Sequence, residues 1–427
     1  MTGSTPNTSA GSMETVLVHP FGNENVRQTL TALSEHRQLS AFVTSIGWTD
    51  SEALSWLRPA RSLVERRLFP MIGDHQLHVT PASELVRNLL LRAQPAGLRR
   101  LGSASGPLSA HWVANQVETK AIKTLQRLPQ PGAVYGYSTF ASKVFRAARE
   151  RDMETILEVP HVHWATTRHW AEHLEGLAPG WAVTARQDLS PSLVHSKEDL
   201  ELQLATRLIS PSAQVTESLR AAGVESHIAE IPYGCPHVHP GQAPLSWDGR
   251  GPLRVLFVGR IVGMKGIADV VSAAKALSSA VHVTAIGQLP GETFPALEDM
   301  LGTVDYRGTM PRSDILLEMR KHHVLLLPSL VEGRSLAALE GLSQGLPAVV
   351  TLGSGVDDLV VQGAGAVVDR FAPEQIVAEL QRFLDNPGLV EERSAKALEI
   401  ARASGWGPFR EGIARFLQEI GSGARGK

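Results

Sequence analysis

Along the chain, short apolar runs alternate with stretches in which apolar residues return every three or four positions. The first run, "TVLVHP" (15–20), ends at a loop, "FGNENV", and "RQTLTALSEH" follows with helical spacing. Strand, loop and helix in that order open an α/β domain. Runs of the same kind recur at "AFVTSI", "QLHVT", "AVYGY", "TILEVP", "RLISPS" and "HIAEIPYG". A stretch without periodicity, "CPHVHPGQAPLSWDGRG" (235–251), is rich in Pro, Gly and polar residues and predicts a linker. A second series then begins: "LRVLFVG", "VHVTAIG", "TVDYRG", "HHVLLLP", "PAVVT" and "GAVV". Its helices start near Gly266, Thr293, Pro311, Leu336, Val356 and Pro373.

Strands that alternate with helices predict parallel sheets covered on both faces. The expected fold class is α/β, with two Rossmann-like doubly wound domains facing each other across a cleft. The expected boundaries are a disordered tail at 1–13, an N-terminal domain at 14–236, a linker at 237–251 and a C-terminal domain at 252–402. A last helix at 403–421 is expected to pack back on the first domain, with "GSGARGK" as a second tail. Ligands of open parallel sheets sit outside the carboxyl ends of the strands, so the loops after each strand are the ones to read.

Composition narrows the function classes. A chain of 427 residues is too long for one ordinary core. With 43% hydrophobic and 20% charged residues it has the balance of a globular enzyme, not of a disordered chain. A net charge of −2 gives no reason to expect a nucleic-acid partner. The single cysteine, Cys235, excludes an internal disulfide and fits a reducing compartment. No apolar run approaches membrane-spanning length, and "MTGSTPNTSAGSME" lacks the basic start and apolar stretch of a signal peptide. The expected location is cytoplasmic, or peripheral on the inner membrane face. Arg58, Arg61, Arg66, Arg67, Arg87, Arg92, Arg99 and Arg100 stand among leucines. They would suit an anionic membrane carrying a lipid-linked acceptor, although a solvated helix face is the simpler reading.

Two loops of the second series carry candidate chemistry. In "FVGRIVGMKGI", Gly259 allows a tight backbone approach, and Arg260 and Lys265 bracket the turn before a helix. Two cations beside a helix N-terminus suit an anion, most simply a diphosphate; two solvated surface charges are the alternative. In "PSLVEGRSLAALEGLS", the helix starting near Ser335 would bury Leu336, Leu339 and Leu342. The backbone N–H groups of Ser335 and Leu336 would lie free at its start, with Glu332 before them and Glu340 beyond. A nucleotide sugar has matching needs. Its diphosphate wants donors, its ribose diol would suit Glu340, and its sugar hydroxyls would suit Glu332. One capping acid and one surface acid is the competing reading.

"VGRIVGMKGI" and "PSLVEGRSLAALEGLSQGLPAVVT" resemble the two signature segments of the family 4 glycosyltransferases, retaining enzymes of the GT-B fold whose hallmark is a Glu-x7-Glu pair. The resemblance spans roughly residues 205–410 and is strongest over 253–360. It implies that Arg260 and Lys265 hold the donor diphosphate and stabilise the leaving group. It also implies that Glu340 binds the ribose, that Glu332 touches the donor sugar, and that Ser335 and Leu336 supply backbone donors. Gly287 and Met310 fall where the family places loops around the nucleotide. His161 and His163 in "ILEVPHVHW" follow a strand and should look into the cleft; a histidine near the transferred sugar would be His161, preferred over His163, and His163 is assigned to the acceptor or phosphate side. The opening loop, with Gly22 and Asn23, falls where such enzymes bring a turn towards phosphate and acceptor. Arg334-Ser335 stands where Phe-Gly is more frequent, and Ala337 where Pro is; those departures bear on the donor sugar.

The implied activity is transfer of a sugar from a nucleotide-diphosphate sugar to an acceptor hydroxyl with retention. The acceptor would be a sugar, a glycan or a lipid-linked molecule, in cell-surface polysaccharide or glycolipid synthesis. No Asp-x-Asp stands at a strand end, so neither a metal nor a permanently bound cofactor is expected. Two other classes compete. One is a non-catalytic nucleotide-sugar-binding protein of the same fold. The other is a zinc hydrolase using His169, Glu172 and His173 of "HWAEH". A dehydrogenase is excluded by the lack of a Gly-x-Gly-x-x-Gly turn after an early strand.

Overall fold

The computed structural model describes residues 13–50, 67–92, 109–129, 132–188 and 192–423. Among them, seven strands form a first parallel sheet: β1 (Thr15–Val18), β2 (Leu39–Thr44), β3 (Leu77–Val79), β4 (Ala133–Tyr137), β5 (Glu154–Glu158), β6 (Arg207–Ser210) and β7 (His227–Glu230). A second parallel sheet holds β8 (Leu253–Val258), β9 (Val281–Ile286), β10 (Asp305–Tyr306), β11 (Val324–Leu327), β12 (Ala348–Thr351) and β13 (Gly365–Val368). Each strand overlaps one of the runs read from the sequence, with β2 starting two residues and β5 one residue earlier than its run. The spatial orders are β3-β2-β1-β4-β5-β6-β7 and β10-β9-β8-β11-β12-β13. Both are doubly wound, and the order reverses between β1 and β4 and between β8 and β11. Loops diverge at such a switch point and leave a crevice. The loops after β1, β8 and β11 are those that carry most of the candidate residues.

Local sequence explains the elements around that crevice. The Glu24–Glu35 helix buries Val26, Thr29, Leu30 and Leu33, a helical stripe turned onto the first sheet. β11 and β12 are buried at every position, as strands covered on both faces must be. The Leu336–Ser343 helix is anchored by Leu339 and Leu342, both 0% exposed; full burial of one such side chain contributes about 2 kcal/mol. The helix ends in a left-handed turn at Gly345, φ 72°. There the Leu346 N–H donates to the Gly341 carbonyl (2.9 Å) and the Gly345 N–H to the Leu342 carbonyl (3.0 Å). This arrangement caps the helix and turns the chain into β12.

The chain crosses between the sheets twice at one place. The Cys235 N–H donates to the Ser404 carbonyl at 2.7 Å, and Gly234 lies flat against Gly405. The Trp406–Gly423 helix then packs on the Glu24–Glu35 helix, where Arg410 Nη1 donates to Gln28 Oε1 at 2.8 Å. Three sequence expectations need adjustment. Met13, assigned to the first tail, is buried against Gly132; residues 1–12 lie outside the described set. Helix continues through Gly423, past the expected stop at 421. Of the arginines, Arg58, Arg61, Arg66, Arg99 and Arg100 lie outside the described residues. Arg67 is no membrane-facing charge, because it pairs with Glu84 and lies 5.4 Å over the Phe21 ring. Among the described residues no helix is long and apolar enough to cross a membrane.

Candidate active site

The carboxyl ends of the two sheets face each other. Close packing fixes how near they come. A Cβ at Gly333, on the loop after β11, would lie 1.8 Å from the Pro160 carbonyl oxygen and 3.0 Å from the His161 Cα. Glycine is therefore required where the loop after β11 meets the loop after β5. Ser212 Oγ donates to the Gly333 carbonyl at 2.5 Å, and the Gly263 N–H donates to Thr184 Oγ1 at 2.8 Å. Trp170 of the first domain is covered by the Arg370 guanidinium of the second, 4.5 Å from its centroid.

Beside these contacts lies an interdomain cavity of about 500 Å³. Gly22, Asn23 and Glu24 line it from the first domain, and Pro311, Arg312, Leu336 and Glu340 line it from the second. Four residues singled out in the sequence, Gly22, Asn23, Leu336 and Glu340, thus share one space. Leu336 was expected to be buried, but it is 44% exposed and forms part of the wall. Burial raises the Glu340 carboxyl above its ordinary range, and the neighbouring Arg312 opposes that shift. Arg312 Nε donates to Glu340 Oε1. No sequence signal identified Arg312, which follows the helix start read near Pro311.

Glu332 lies at the next loop with Lys265. The ammonium is 2.5 Å from Glu332 Oε1, which also accepts from Ser329 Oγ at 3.0 Å. Arg260 is exposed at the end of β8. Gly259 and Gly287 close the ends of β8 and β9 against one another, since a Cβ on Gly287 would fall 1.7 Å from the Gly259 carbonyl oxygen. Both glycines shape the backbone, and Tyr306 reaches the Gly287 carbonyl at 2.8 Å.

Three candidate residues are placed differently from their sequence reading. The Ser335 N–H is not free, because it donates to the Ser354 carbonyl at 3.1 Å, and the Ser335 hydroxyl caps the helix by accepting from the Ala338 N–H. The donors left at that helix start are Leu336 and Ala337, whose N–H groups meet no acceptor among the described residues. Met310 packs against the core of its own domain, and the following Pro311 and Arg312 face the cavity instead. His163 does not reach the cleft. Its Nδ1 caps the Trp164–Leu177 helix by accepting from the Ala165 N–H, and its Nε2 pairs with Asp199 at 3.2 Å.

His161 stands on the loop that meets Gly333, with 45% of its side chain exposed. Its Nδ1–H donates to the Val162 carbonyl at 3.2 Å, which leaves Nε2 as the outward acceptor. Behind it, Glu198 is 4% exposed, with Oε1 3.8 Å from His161 Nδ1 and otherwise unpartnered. Burial first, and Asp199 second, push the Glu198 carboxyl up to about 8. A second buried acid, Glu158, accepts from Tyr135 (2.6 Å), Tyr233 (2.6 Å) and Asn25 (3.0 Å). This network ties the start of the Glu24–Glu35 helix to the interdomain crossing beneath the cavity. His169, Glu172 and His173 lie on an exposed helix face, and among the described residues no three His, Cys, Asp or Glu side chains are placed to hold a metal ion.

Two doubly wound domains that meet across a cleft define the GT-B fold, and solved structures agree. A sucrose-phosphate synthase from Thermosynechococcus elongatus superposes with TM-score 0.65 at 16% identity, covering 97% of this chain and 99% of that one. An Anabaena protein solved with UDP and glucose gives TM-score 0.59 at 13% identity, covering 95% and 99%. Residues 249–402, which hold the second sheet, match the family described as glycosyl transferases group 1. Among curated relatives, the D-inositol 3-phosphate glycosyltransferase of Streptomyces griseus is 29% identical over 204 residues, 41% of this chain and 43% of that protein. The matched stretches span between 39% and 65% of the length of such relatives.

Proposed function

We propose that the protein is a retaining glycosyltransferase that moves a sugar from a nucleotide-diphosphate sugar to an acceptor hydroxyl. The observation that carries this reading is the meeting of Glu340, Leu336, Gly22 and Asn23 in one interdomain cavity, with Lys265 and Glu332 paired on the adjoining loop. Glu340 accepts from the ribose diol. The Leu336 and Ala337 N–H groups, Arg260 and Lys265 receive the diphosphate. When the phosphate recruits Lys265, Glu332 is released to accept from a hydroxyl of the donor sugar.

The bond between the anomeric carbon and the diphosphate oxygen breaks, and one to the acceptor oxygen forms on the same face. The acceptor proton leaves with the departing diphosphate. Preorganised cations and N–H groups stabilise the charge that develops on that leaving group, so their effect is electrostatic and greatest in the transition state. His161 Nε2, an acceptor at the first-domain wall, orients a substrate hydroxyl. A sugar, a glycan or a lipid-linked polyol fits the acceptor side, in keeping with relatives named for an inositol phosphate, and synthesis of a surface polysaccharide or glycolipid suits such a product.

Incubation of the purified protein with a panel of nucleotide sugars and acceptors tests the proposal. Release of nucleoside diphosphate with a product of unchanged anomeric configuration is expected. Nucleotide binding without turnover on any acceptor would favour a binding protein of the same fold.

A further inference from the structure

Arg312 connects the two domains at the nucleotide cavity. It begins the Arg312–Met319 helix of the second domain, and its Nε donates to Glu340 Oε1. Its Nη1 lies 3.6 Å from Glu24 Oε2, in the first turn of the Glu24–Glu35 helix of the first domain. All three side chains line the same cavity, and Glu340 is the most buried of them at 14% exposed. The other guanidinium on that wall, Arg27, donates to the Leu68 carbonyl at 2.5 Å and lies over the Phe69 ring. The charged groups that act on Glu340 are therefore Arg312, in its favour, and Glu24, against it.

We propose that Arg312 is a positioning residue of the nucleotide site, which holds one oxygen of Glu340, leaves the other for a vicinal diol, and couples the occupied site to domain closure through Glu24. The inference rests on the nucleotide reading above and deepens it. A carboxylate has about four lone-pair sites, so a guanidinium on Oε1 does not compete with two hydroxyls at Oε2. Without the guanidinium, burial favours the protonated carboxyl, which accepts hydroxyl donors poorly. The Nη1 to Glu24 separation lies beyond hydrogen-bond range and within reach of a small hinge closure. Sequence spacing gives no hint of this, because Arg312 and Glu340 are far apart in the chain and Glu24 belongs to the other domain.

Calorimetric titration with UDP and with GDP tests the inference, on wild type, Arg312→Ala, Arg312→Lys and Glu24→Gln, near pH 5.5 and pH 8. Loss of one charge-assisted hydrogen bond predicts that Arg312→Ala binds about tenfold more weakly near pH 5.5. The deficit relative to wild type should shrink as pH rises, because burial unopposed by the guanidinium holds the Glu340 carboxyl higher in the variant. Arg312→Lys should restore most of the affinity. Glu24→Gln should bind, but lose the compaction that small-angle scattering detects on adding nucleotide to wild type. A ratio of Arg312→Ala to wild-type affinity near one at both pH values would overturn this inference and leave the nucleotide site standing. Failure of wild type to bind either nucleotide would overturn both.

Discussion

Glu198 offers a stability test with a definite sign. Its carboxyl is 4% exposed, one oxygen has no partner, and it titrates near 8 in the folded protein, against an ordinary value of 4.5. An acid raised on folding binds its proton more tightly in the native state. The native state therefore loses stability as pH rises from the unfolded value towards the folded one, at about 1.4 kcal/mol per pH unit. That amounts to a penalty of up to about 3 kcal/mol at pH 7. Glu198→Gln keeps the shape of the neutral acid and removes the ionisation. Urea unfolding of wild type and variant near pH 5 and near pH 8 measures the effect. Glu201, pushed up to about 7, and Asp269, pushed up to about 6, contribute a similar slope to both proteins, so the difference between them isolates Glu198. The variant should gain about 3–4 kcal/mol over wild type between the two pH values. Parallel pH dependence would refute the claim that this carboxyl is buried at a cost behind His161.

Three further outcomes are expected. Gly333→Ala places a Cβ against the Pro160 carbonyl; it should push the domain loops apart and lower turnover about a hundredfold while each domain stays folded, as circular dichroism and turnover assays would report. The Cys235 thiol, 1% exposed and pushed up to about 12 by burial, should resist thiol reagents at pH 8 until denaturant is added, and rapid labelling of the native protein would contradict its placement. Turnover should continue in excess chelator, because Lys265, Arg260 and the N–H groups at the Leu336 helix are assigned the leaving-group charge; loss of activity restored by a divalent ion would refute that assignment.

The sheets were legible because their central strands, such as β1, β4, β11 and β12, are buried at every position and read as short apolar runs. Even the two-residue β10 lies within "TVDYRG". The loop and helix around Glu332 and Glu340 were legible through spacing, since a helix start between two acids leaves few places for either carboxylate to go. Local hydrogen bonding was harder to read. His163 and Ser335 both serve as helix caps, a role that short polar side chains fill wherever a helix begins, and nothing in "EVPHVHW" separates a cap from a cleft residue. Exposure of Leu336 was misread because helical spacing places it beside Leu339 and Leu342, whereas the second domain leaves that end of the helix open to the cavity. Contacts between distant parts of the chain left no periodic trace at all. Gly333 against Pro160, Arg312 between Glu24 and Glu340, and Glu198 behind His161 each join segments distant in sequence.

The nucleotide site is tested most directly by calorimetric titration of UDP and GDP into wild type, Glu340→Ala and Lys265→Ala. At least one nucleotide should bind wild type, and each variant should bind it about a hundredfold more weakly, the worth of two charge-assisted hydrogen bonds, with an unchanged melting profile. Undiminished affinity in both folded variants would contradict the assignment of the cavity to the donor.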